Sequence, residues 1–342
     1  DALLNTTEDR QAMQGRFRFG IRASVTDQVE AFARFATGDQ RTPVSTNQTF
    51  GKYDGRWTAT LDQAGIYWHG GSEGHHQSYG AWAGRFENPF AGPSGSELVW
   101  DNDVNFEGVA TTYQLDLGDR NAGSSEPNAF LTLGAFPLQE VALSSHDKWL
   151  YAAQLGGFVR FGDASWLRAA VAYYDYENIA GQLNAPDSKL LDYSAPLFVQ
   201  KGNTLFDIRN DLDGSTNLFA LASDYKVLNA ELMAQFPVAG LTAQAWAQYA
   251  RNEGFDRKEI LARTGQSVEP RIEGYEGGVA LLSDPVWLTA GGWRAQLYYR
   301  YLQRDAVLDA FTDSDFHLGG TDAEGFTLSF DYAMARRLWL RL

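Results

Sequence analysis

Apolar side chains recur at every second position between Lys148 and Tyr176. One face of the first run carries Trp149, Tyr151, Ala153, Leu155, Gly157, Val159 and Phe161. The other face is mixed and carries Lys148, Gln154, Gly156 and Arg160, with Leu150, Ala152 and Phe158 between them. A second run repeats the scheme with Leu167, Ala169, Val171 and Tyr173 on one face and Arg168, Ala170, Ala172 and Tyr174 on the other. Because side chains alternate across a strand, the stretch predicts a hairpin closed by a Gly-Asp-Ala-Ser turn.

Each run of this hairpin is long enough to cross the hydrocarbon core of a bilayer. A tilted transmembrane strand needs about 9–11 residues. Aromatic side chains lie near the ends of both runs, where amphipathic rings favour the membrane interface. The hairpin therefore has the features of a transmembrane β-hairpin.

The rest of the chain repeats this unit. Strands are predicted at 15–25, 29–37, 61–69, 78–86, 108–117, 128–136, 148–161, 166–176, 222–236, 241–252, 272–282, 292–302, 326–332 and from 338 onward. Long loops are predicted near 38–58, 87–105, 177–215, 253–271 and 303–323. Short turns alternate with these loops, as in an outer-membrane barrel with periplasmic turns and extracellular loops. A soluble β-sandwich is the alternative, but it needs neither strands this long nor long loops at one end only.

The predicted fold is therefore an all-β, up-and-down antiparallel transmembrane barrel of about 14 strands, in one domain over residues 1–342. The first strand runs into a short turn, and the last run, 338–342, stops in mid-strand. We expect one strand to be missing at each end and about 16 strands in the intact protein, because bacterial barrels have even strand numbers. Asp1 cannot begin a signal peptide, so we expect a mature or trimmed chain.

Composition narrows the function classes. The net charge of −15 argues against a nucleic-acid partner, which requires a basic surface. The absence of cysteine excludes disulfides, thiolate metal sites and thiol catalysis. No apolar run reaches the roughly 18 residues of a membrane helix. Aromatic residues make up 14% of the chain, as suits a barrel with two aromatic girdles.

The segment from Gly84 to Ala110, GRFENPFAGPSGSELVWDNDVNFEGVA, resembles the family of porins of Gram-negative outer membranes. The resemblance extends to RFRFGIRASVTDQVEAFARFATG and PVSTNQTFG near the start of the chain. Its best markers are Asn88-Pro89-Phe90, Trp100-Asp101 and Glu107-Gly108. The resemblance implies a β-barrel porin and does not identify a solute.

Inward-facing arginines are the main candidates for the pore lining. They are Arg16, Arg18, Arg22, Arg34, Arg85, Arg160, Arg168, Arg294 and Arg300. Like charges in a dry core would be prohibitively costly, so these residues predict a water-filled lumen. If they face acidic loop residues, the opposed charges create a transverse field that sorts solutes by charge. The alternative is a set of ion pairs that only brace the wall.

The candidate constriction loop is 87–105, with Glu87, Glu97, Asp101 and Asp103 as its acidic residues. Its apolar Leu98-Val99-Trp100 would pack if the loop folded into the lumen. The longer loop 177–215 is the second candidate, since it carries LeuLeuAspTyr and ProLeuPheVal. Both loops could instead stay outside the barrel.

Four further motifs contain residue types that can bind metals or catalyse reactions. Asp211-Leu212-Asp213-Gly214 and Asp313-Ser314-Asp315 look like parts of calcium loops, but neither has the complete twelve-residue loop with its closing Glu. His69, His75 and His76 flank a turn, where a hydrated turn is the default interpretation. Ser145-His146-Asp147 contains the residue types of a catalytic triad, but a triad needs adjacency in space. We predict no metal, no cofactor and no enzyme activity.

The leading functional hypothesis is a porin for passive diffusion of small hydrophilic solutes or ions. The alternative is a plugged structural barrel that anchors or assembles with other cell-surface proteins; a barrel enzyme is a third class. Expected partners are outer-membrane lipid, lipopolysaccharide and the solutes. A homotrimer is a further expectation, because porins often trimerise.

Overall fold

The computed structural model describes residues 12–51, 53–71, 77–93, 95–118, 128–142, 144–161, 164–211, 214, 216–284 and 288–342. Its strands are β1 (Gln14–Gly15), β2 (Arg18–Ser24), β3 (Val29–Thr37), β4 (Gln48–Thr49), β5 (Ala59–Gly71), β6 (Gln77–Glu87), β7 (Asn105–Asp116), β8 (Asn128–Gln139), β9 (Lys148–Phe161), β10 (Ser165–Glu177), β11 (Leu205–Asp207), β12 (Phe219–Leu221), β13 (Tyr225–Val238), β14 (Leu241–Asn252), β15 (Glu273–Leu282), β16 (Trp293–Leu302), β17 (Ala323–Ala335) and β18 (Leu338–Arg341). An α-helix, α1, spans Arg257–Thr264, and two 3-10 turns span Asp192–Ser194 and Phe316–Leu318.

Fourteen of these strands form one antiparallel sheet, as the alternation predicted. Its order is β18-β17-β16-β15-β14-β13-β10-β9-β8-β7-β6-β5-β3-β2, so each strand pairs with its neighbour along the chain apart from the short strands in the loops. The edge strands β2 and β18 do not pair with each other, and the sheet is not closed. The all-β, up-and-down antiparallel architecture is confirmed, and the total of 16 strands stays a prediction.

Short turns at one end of the sheet have the backbone conformations and hydrogen bonds of tight hairpins. Val238 pairs directly with Leu241, which leaves a two-residue turn between β13 and β14. Its residues Ala239 and Gly240 have φ of 50° and 81°. Two consecutive left-handed residues give the tight hairpin turn whose twist matches that of the flanking strands. At the β2–β3 turn, the Thr26 hydroxyl accepts a hydrogen bond from the Val29 amide at 3.1 Å.

Several strands differ from their predicted bounds. Strand β7 begins at Asn105 rather than 108, because the backbone pairs Asn105 with Glu87 although both side chains are polar. Strand β2 begins at Arg18 rather than 15, since Gln14 and Gly15 pair with β4 instead of β3. The connection after β10 runs to residue 224 rather than 215, and it contains the β11–β12 ladder.

The two faces of the sheet differ in polarity. One face, called the outer face here, presents exposed apolar side chains that include Leu155, Val171, Val279, Leu297 and Leu328. Successive members of this row are direct cross-strand partners, such as Leu155 with Val171 and Leu297 with Leu328. The other, inner face buries polar residues on neighbouring strands: Gln154, Asn229, Gln248, Glu276, Gln296 and Asp331. Apolar outside and polar inside is the inverse of a soluble domain and is typical of a barrel in lipid.

The helix α1 lies in the segment predicted as an irregular loop at 253–271. The Asp256 carboxylate caps it by accepting from the amides of Lys258 at 2.7 Å and Glu259 at 3.3 Å. Gly265 ends the helix in the left-handed conformation, with φ of 71°. Among the described residues, no helix has the length and apolar character needed to cross a membrane.

Candidate pore constriction

The segment 88–104, called the inner loop here, crosses the inner face of the sheet. It leaves β6 and returns to β7, yet its contacts reach distant strands. The Gln154 side chain on β9 exchanges two hydrogen bonds of 2.8 Å with the backbone of Ala91. The Ser96 hydroxyl donates to Gln248 on β14 at 2.5 Å. The inner loop therefore extends across the inner face of the sheet from β6 and β7 to β9 and β14.

Apolar packing holds the inner loop against the sheet. Leu98, Val99 and Trp100 are all buried. The rings of Phe90 and Trp100 stand edge-on to the ring of Tyr174, with centroid distances of 5.4 Å and 5.1 Å. Aromatic pairs in this geometry add about 0.5–1.5 kcal/mol beyond the burial of their area. These contacts fix the backbone that carries the acidic residues of the loop.

A second segment, 303–322, packs on the inner loop and is called the bracing loop here. The Thr312 hydroxyl lies within hydrogen-bonding distance of the carbonyls of Glu97 at 3.0 Å and Leu98 at 2.9 Å. The Asp101 amide donates to the Phe311 carbonyl at 2.7 Å. The sequence analysis treated this segment only as an extracellular loop. The sequence did contain a signal that this segment packs: between 305 and 313, aspartates alternate with short apolar stretches.

The connection after β10 in turn holds the bracing loop. The Asn203 side-chain amide donates to the carbonyls of Arg304 at 2.7 Å and Val307 at 2.9 Å. The Thr204 hydroxyl donates to the Asp305 carboxylate at 2.6 Å. Three loops therefore interlock, and both candidate constriction loops, 87–105 and 177–215, contact the bracing loop.

Two candidate pore arginines at the sheet edge converge on one carboxylate of the inner loop. Asp103 accepts from Arg16 at 2.7 Å and from Arg18 at 2.6 Å. Burial opposes ionisation of Asp103, but the hydrogen bond and charge of Arg18, with the charge of Arg16, outweigh it and lower its pKa. Two cations share this anion, and Asp315 lies near Arg16 and Asp103. Arg16, Arg18 and Asp103 are called the edge cluster here.

Arg34 lies at the root of the inner loop. Its guanidinium binds Asp62 at 2.6 Å and Glu87 at 2.7 Å. A β-bulge in β5 opposite Arg34 and Phe35 places Asp62 and Gln63 beside each other. Gln63 donates to Asn105 at 2.7 Å, and Asn105 donates to Asp62 at 2.8 Å. This polar network ties the two ends of the inner loop to the sheet. The role of Asp62 was not predicted, because alternation along a strand gives no sign of a β-bulge.

Arg300 forms the most enclosed ion cluster. Its guanidinium donates to Glu276 at 2.8 Å and to Asp313 of the bracing loop at 2.6 Å. Glu276 is its direct cross-strand partner on β15. These three residues, which we call the buried cluster, are almost fully enclosed. The sequence analysis identified Arg300 but not its two carboxylate partners.

The remaining inner-face arginines also have partners. Arg22 binds Glu30 at 2.7 Å and Arg294 binds Asp331 at 3.0 Å. Arg168 donates to the Gly92 carbonyl of the inner loop and lies 4.0 Å from Glu231. Arg160 stacks over the ring of Phe158. Carboxylates on the inner face therefore alternate with the arginines, and the wall is mixed in charge.

Strand register puts Arg85 on the opposite face from the other eight candidate arginines, although it also lines a cavity with Trp100 and Phe106. Strand register pairs Arg85 with Ala64, and the neighbouring pair on that face is Ile66 with Ala83. Arg85 thus shares the outer face with exposed apolar residues, while Phe86 points to the inner face. It lies 3.6 Å from Glu107, its partner on β7. Because side chains alternate along β6, Phe86 occupies the inner face and Arg85, one position earlier, does not.

The acidic residues of the inner loop have unlike environments. Burial raises the pKa of Glu97 to about 8, and the nearby Asp313 and Asp101 raise it further. Burial also raises the pKa of Asp101 to about 7. Glu87, in contrast, is exposed. The raised pKa values of Glu97 and Asp101 suit their buried interface with the bracing loop, whereas Arg16 and Arg18 favour the charged form of Asp103.

The other motifs supply no assembled site in the described part of the chain. There, no group of three or more His, Cys, Asp or Glu side chains is placed to hold a metal ion. His75, His76, Leu212 and Asp213 lie outside the described residues. The Asp147 carboxylate accepts from the Val141 amide at 2.7 Å, and the His146 ring lies 2.9 Å from the Ser144 hydroxyl. Asp313 serves the buried cluster instead of a calcium loop.

One protein family matches the whole chain, and two solved structures are similar to it at low sequence identity. The chain is similar over its full length, residues 1–342, to a family described as "Putative porin". The outer membrane channel DcaP of Acinetobacter baumannii is 10% identical, with 84% of this chain and 79% of that chain covered and a TM-score of 0.39. Salmonella typhi OmpF in complex with daunomycin is 10% identical, with 98% and 93% covered and a TM-score of 0.43. No curated protein matches the chain. Since the family match spans every residue, the chain belongs to this porin family and is an outer-membrane channel protein.

Proposed function

We propose that this porin passes small hydrophilic solutes or ions by passive diffusion through a water-filled lumen. One observation carries the proposal: the sheet has an apolar, exposed outer face and an inner face rich in paired charges. Such charges are tolerable where water reaches them and costly in a dry core. The inner row of arginines, without Arg85, then lines the channel.

Selectivity in this proposal comes from the charges that border the inner loop. Arg16 and Arg18 stand on the wall, and Asp103 faces them from the loop. Asp103 touches both guanidinium groups, so a passing solute meets the cluster at its more exposed arginine side. The two arginines are more exposed than Asp103, so we expect them to favour anions at this point, although Asp315 lies near Arg16 and the whole chain is acidic.

The second candidate is a plugged barrel that serves as a structural anchor. It is favoured by the interlocked loops, whose buried residues Phe90, Leu98, Val104 and Leu308 form an apolar cluster with the inner face. A cluster of this kind stabilises the loops whether or not an aqueous path remains beside it. Both proposals include a single-domain barrel, a homotrimer and contacts with lipid and lipopolysaccharide.

Swelling of liposomes in isosmotic solutions of graded sugars separates these functions. A diffusion porin reconstituted from the full chain gives swelling rates that fall smoothly as the solute grows. The plugged barrel gives the rate of empty liposomes for every sugar. Folding is checked in the same sample by the shift in electrophoretic mobility that folded barrels show before heating.

A further inference from the structure

A cavity of about 360 Å³ lies among the three interlocked loops and the loop ends of β7, β8 and β9. Its walls are mostly apolar and include the aromatic rings of Trp100, Phe106, Phe136, Phe198 and Phe311. One water molecule occupies about 30 Å³ in the liquid, so the space suits a ligand of roughly ten non-hydrogen atoms. Flat aromatic walls favour a flat apolar body in the ligand.

A buried ammonium group forms part of this wall. Lys148 lines the cavity, and only 2% of its surface is exposed. Its Nζ donates to the carbonyls of Ala195 at 2.7 Å and Ser194 at 3.3 Å. No carboxylate among the described residues lies within ion-pair distance of it. An ammonium group has three donors, so two carbonyl partners leave one donor and the whole charge uncompensated.

The other charged groups on the cavity leave it positive. Arg85 and Glu107 form an ion pair and offset each other. Arg41 is exposed at the cavity and has no ion pair among the described residues. Asp309 is the remaining acid, and burial raises its pKa to about 7. The site therefore favours an anion.

Two buried acceptors on the same cavity have no hydrogen-bond partner. They are Oε1 of Gln139 and Oδ1 of Asp309. Gln139 is the direct cross-strand partner of Lys148, so the two side chains share one face of the sheet at the cavity. Unpaired buried acceptors cost free energy that a ligand hydroxyl can recover by donating to them.

We propose that this cavity binds a small hydroxylated aromatic carboxylate before it passes the constriction. The carboxylate pairs with Lys148, the ring packs between the aromatic walls, and the hydroxyl donates to an unpaired acceptor. This proposal rests on the proposed function and adds to it the class of solute that the channel takes.

Calorimetric titration of the full chain in detergent tests the site with 4-hydroxybenzoate as the probe. We expect the acid to bind at least tenfold more tightly than the neutral 4-hydroxybenzamide. Lys148→Met should remove that preference, and Lys148→Arg should retain part of it. Lys226→Met is the matched control, because Lys226 is a lysine outside this cavity that pairs with Asp175 at 3.4 Å.

Equal binding of acid and amide by the wild type would overturn the site, even if Lys148→Met fails to fold. So would unchanged acid binding by folded Lys148→Met, or binding of glucose in preference to the acid. Conductance is measured separately on the wild type. A conducting channel that does not bind the acid refutes only this site. A silent barrel that binds it with the expected Lys148 dependence refutes the proposed function and leaves a carboxylate-binding barrel.

Discussion

The edge cluster and the buried cluster use the same chemistry in opposite surroundings. The side chains of Arg16, Arg18 and Asp103 are 42%, 28% and 12% exposed. Those of Arg300, Glu276 and Asp313 are 1%, 0% and 5% exposed. Breaking an exposed ion pair costs little, but a passing solute meets its charges. Breaking a buried pair strands a charge in a poor solvent. We therefore expect selectivity to depend on the edge cluster and loop stability to depend on the buried cluster.

Arg300→Met should have the largest effect on stability. It leaves Glu276 and Asp313 buried without their cation, which typically costs about 3–5 kcal/mol. The matched change Arg16→Met at the edge cluster should cost less than about 1 kcal/mol. Urea unfolding of the detergent-solubilised barrel measures both. Equal losses for the two variants would contradict the distinction between the clusters.

The docking of the bracing loop should weaken as pH rises. Glu97 has its pKa raised from 4.5 to about 8, with Asp313, Asp101 and Arg300 as its charged neighbours. A carboxyl group with a raised pKa in the folded state stabilises that state fully below pH 4.5, and this stabilisation is lost as pH rises to about 8. Each such group changes the opening equilibrium by at most about tenfold per pH unit.

Hydrogen exchange of the Leu98 and Val99 amides between pH 5 and 9 measures this opening, after correction for the intrinsic pH dependence of exchange. Glu97→Gln should make the profile less steep, because the amide stays neutral throughout and only Asp101 still titrates at this interface. If the exchange rates of the wild type and the variant depend equally on pH, titration of Glu97 does not control this opening.

Thr312→Val should have a smaller effect on the same interface. The substitution keeps the shape of the side chain and removes the hydroxyl that faces the Glu97 and Leu98 carbonyls. Loss of one such hydrogen bond costs about 0.5–1.5 kcal/mol. Exchange at Leu98 should accelerate by roughly fivefold, whereas global unfolding in urea should change little. A large global loss would mean that the bracing loop unfolds together with the sheet.

Asp103→Asn should alter selectivity with little effect on stability. The change frees Arg16 and Arg18, so the anion-to-cation permeability ratio should rise by roughly twofold. Replacement of Arg16, Arg18 and Arg22 together by Ser should shift that ratio in the opposite direction. Reversal potentials in a salt gradient measure both shifts. An unchanged reversal potential in the triple variant would show that these arginines only brace the wall.

The fold was largely predictable from alternation, because lipid on one side and water on the other enforce a period of two. Arg16, Arg18, Arg22, Arg34, Arg160, Arg168, Arg294 and Arg300 fall on the inner face as that period requires. Arg85 was misplaced because polar residues and glycines around it blur the phase. The carboxylate partners Asp62, Glu276 and Asp331 were missed, since pairing across strands depends on register, which the sequence does not reveal.

The loops were the least predictable part. The apolar Leu98-Val99-Trp100 run indicated a loop able to pack, but not the strands that it reaches. Contacts such as Asn203 with Val307 and Ser96 with Gln248 join residues more than 100 positions apart. No local pattern encodes such pairs. The helix α1 was overlooked although Asp256 and Gly265 are good capping residues, because one short helix contributes little periodicity.

Single-channel recording in planar bilayers tests the central claim, an aqueous path beside the inner loop, most directly. Purified, folded full-length chain should insert with discrete, ohmic current steps, and Asp103→Asn should change their reversal potential. Correctly folded protein that inserts and stays electrically silent would contradict the account.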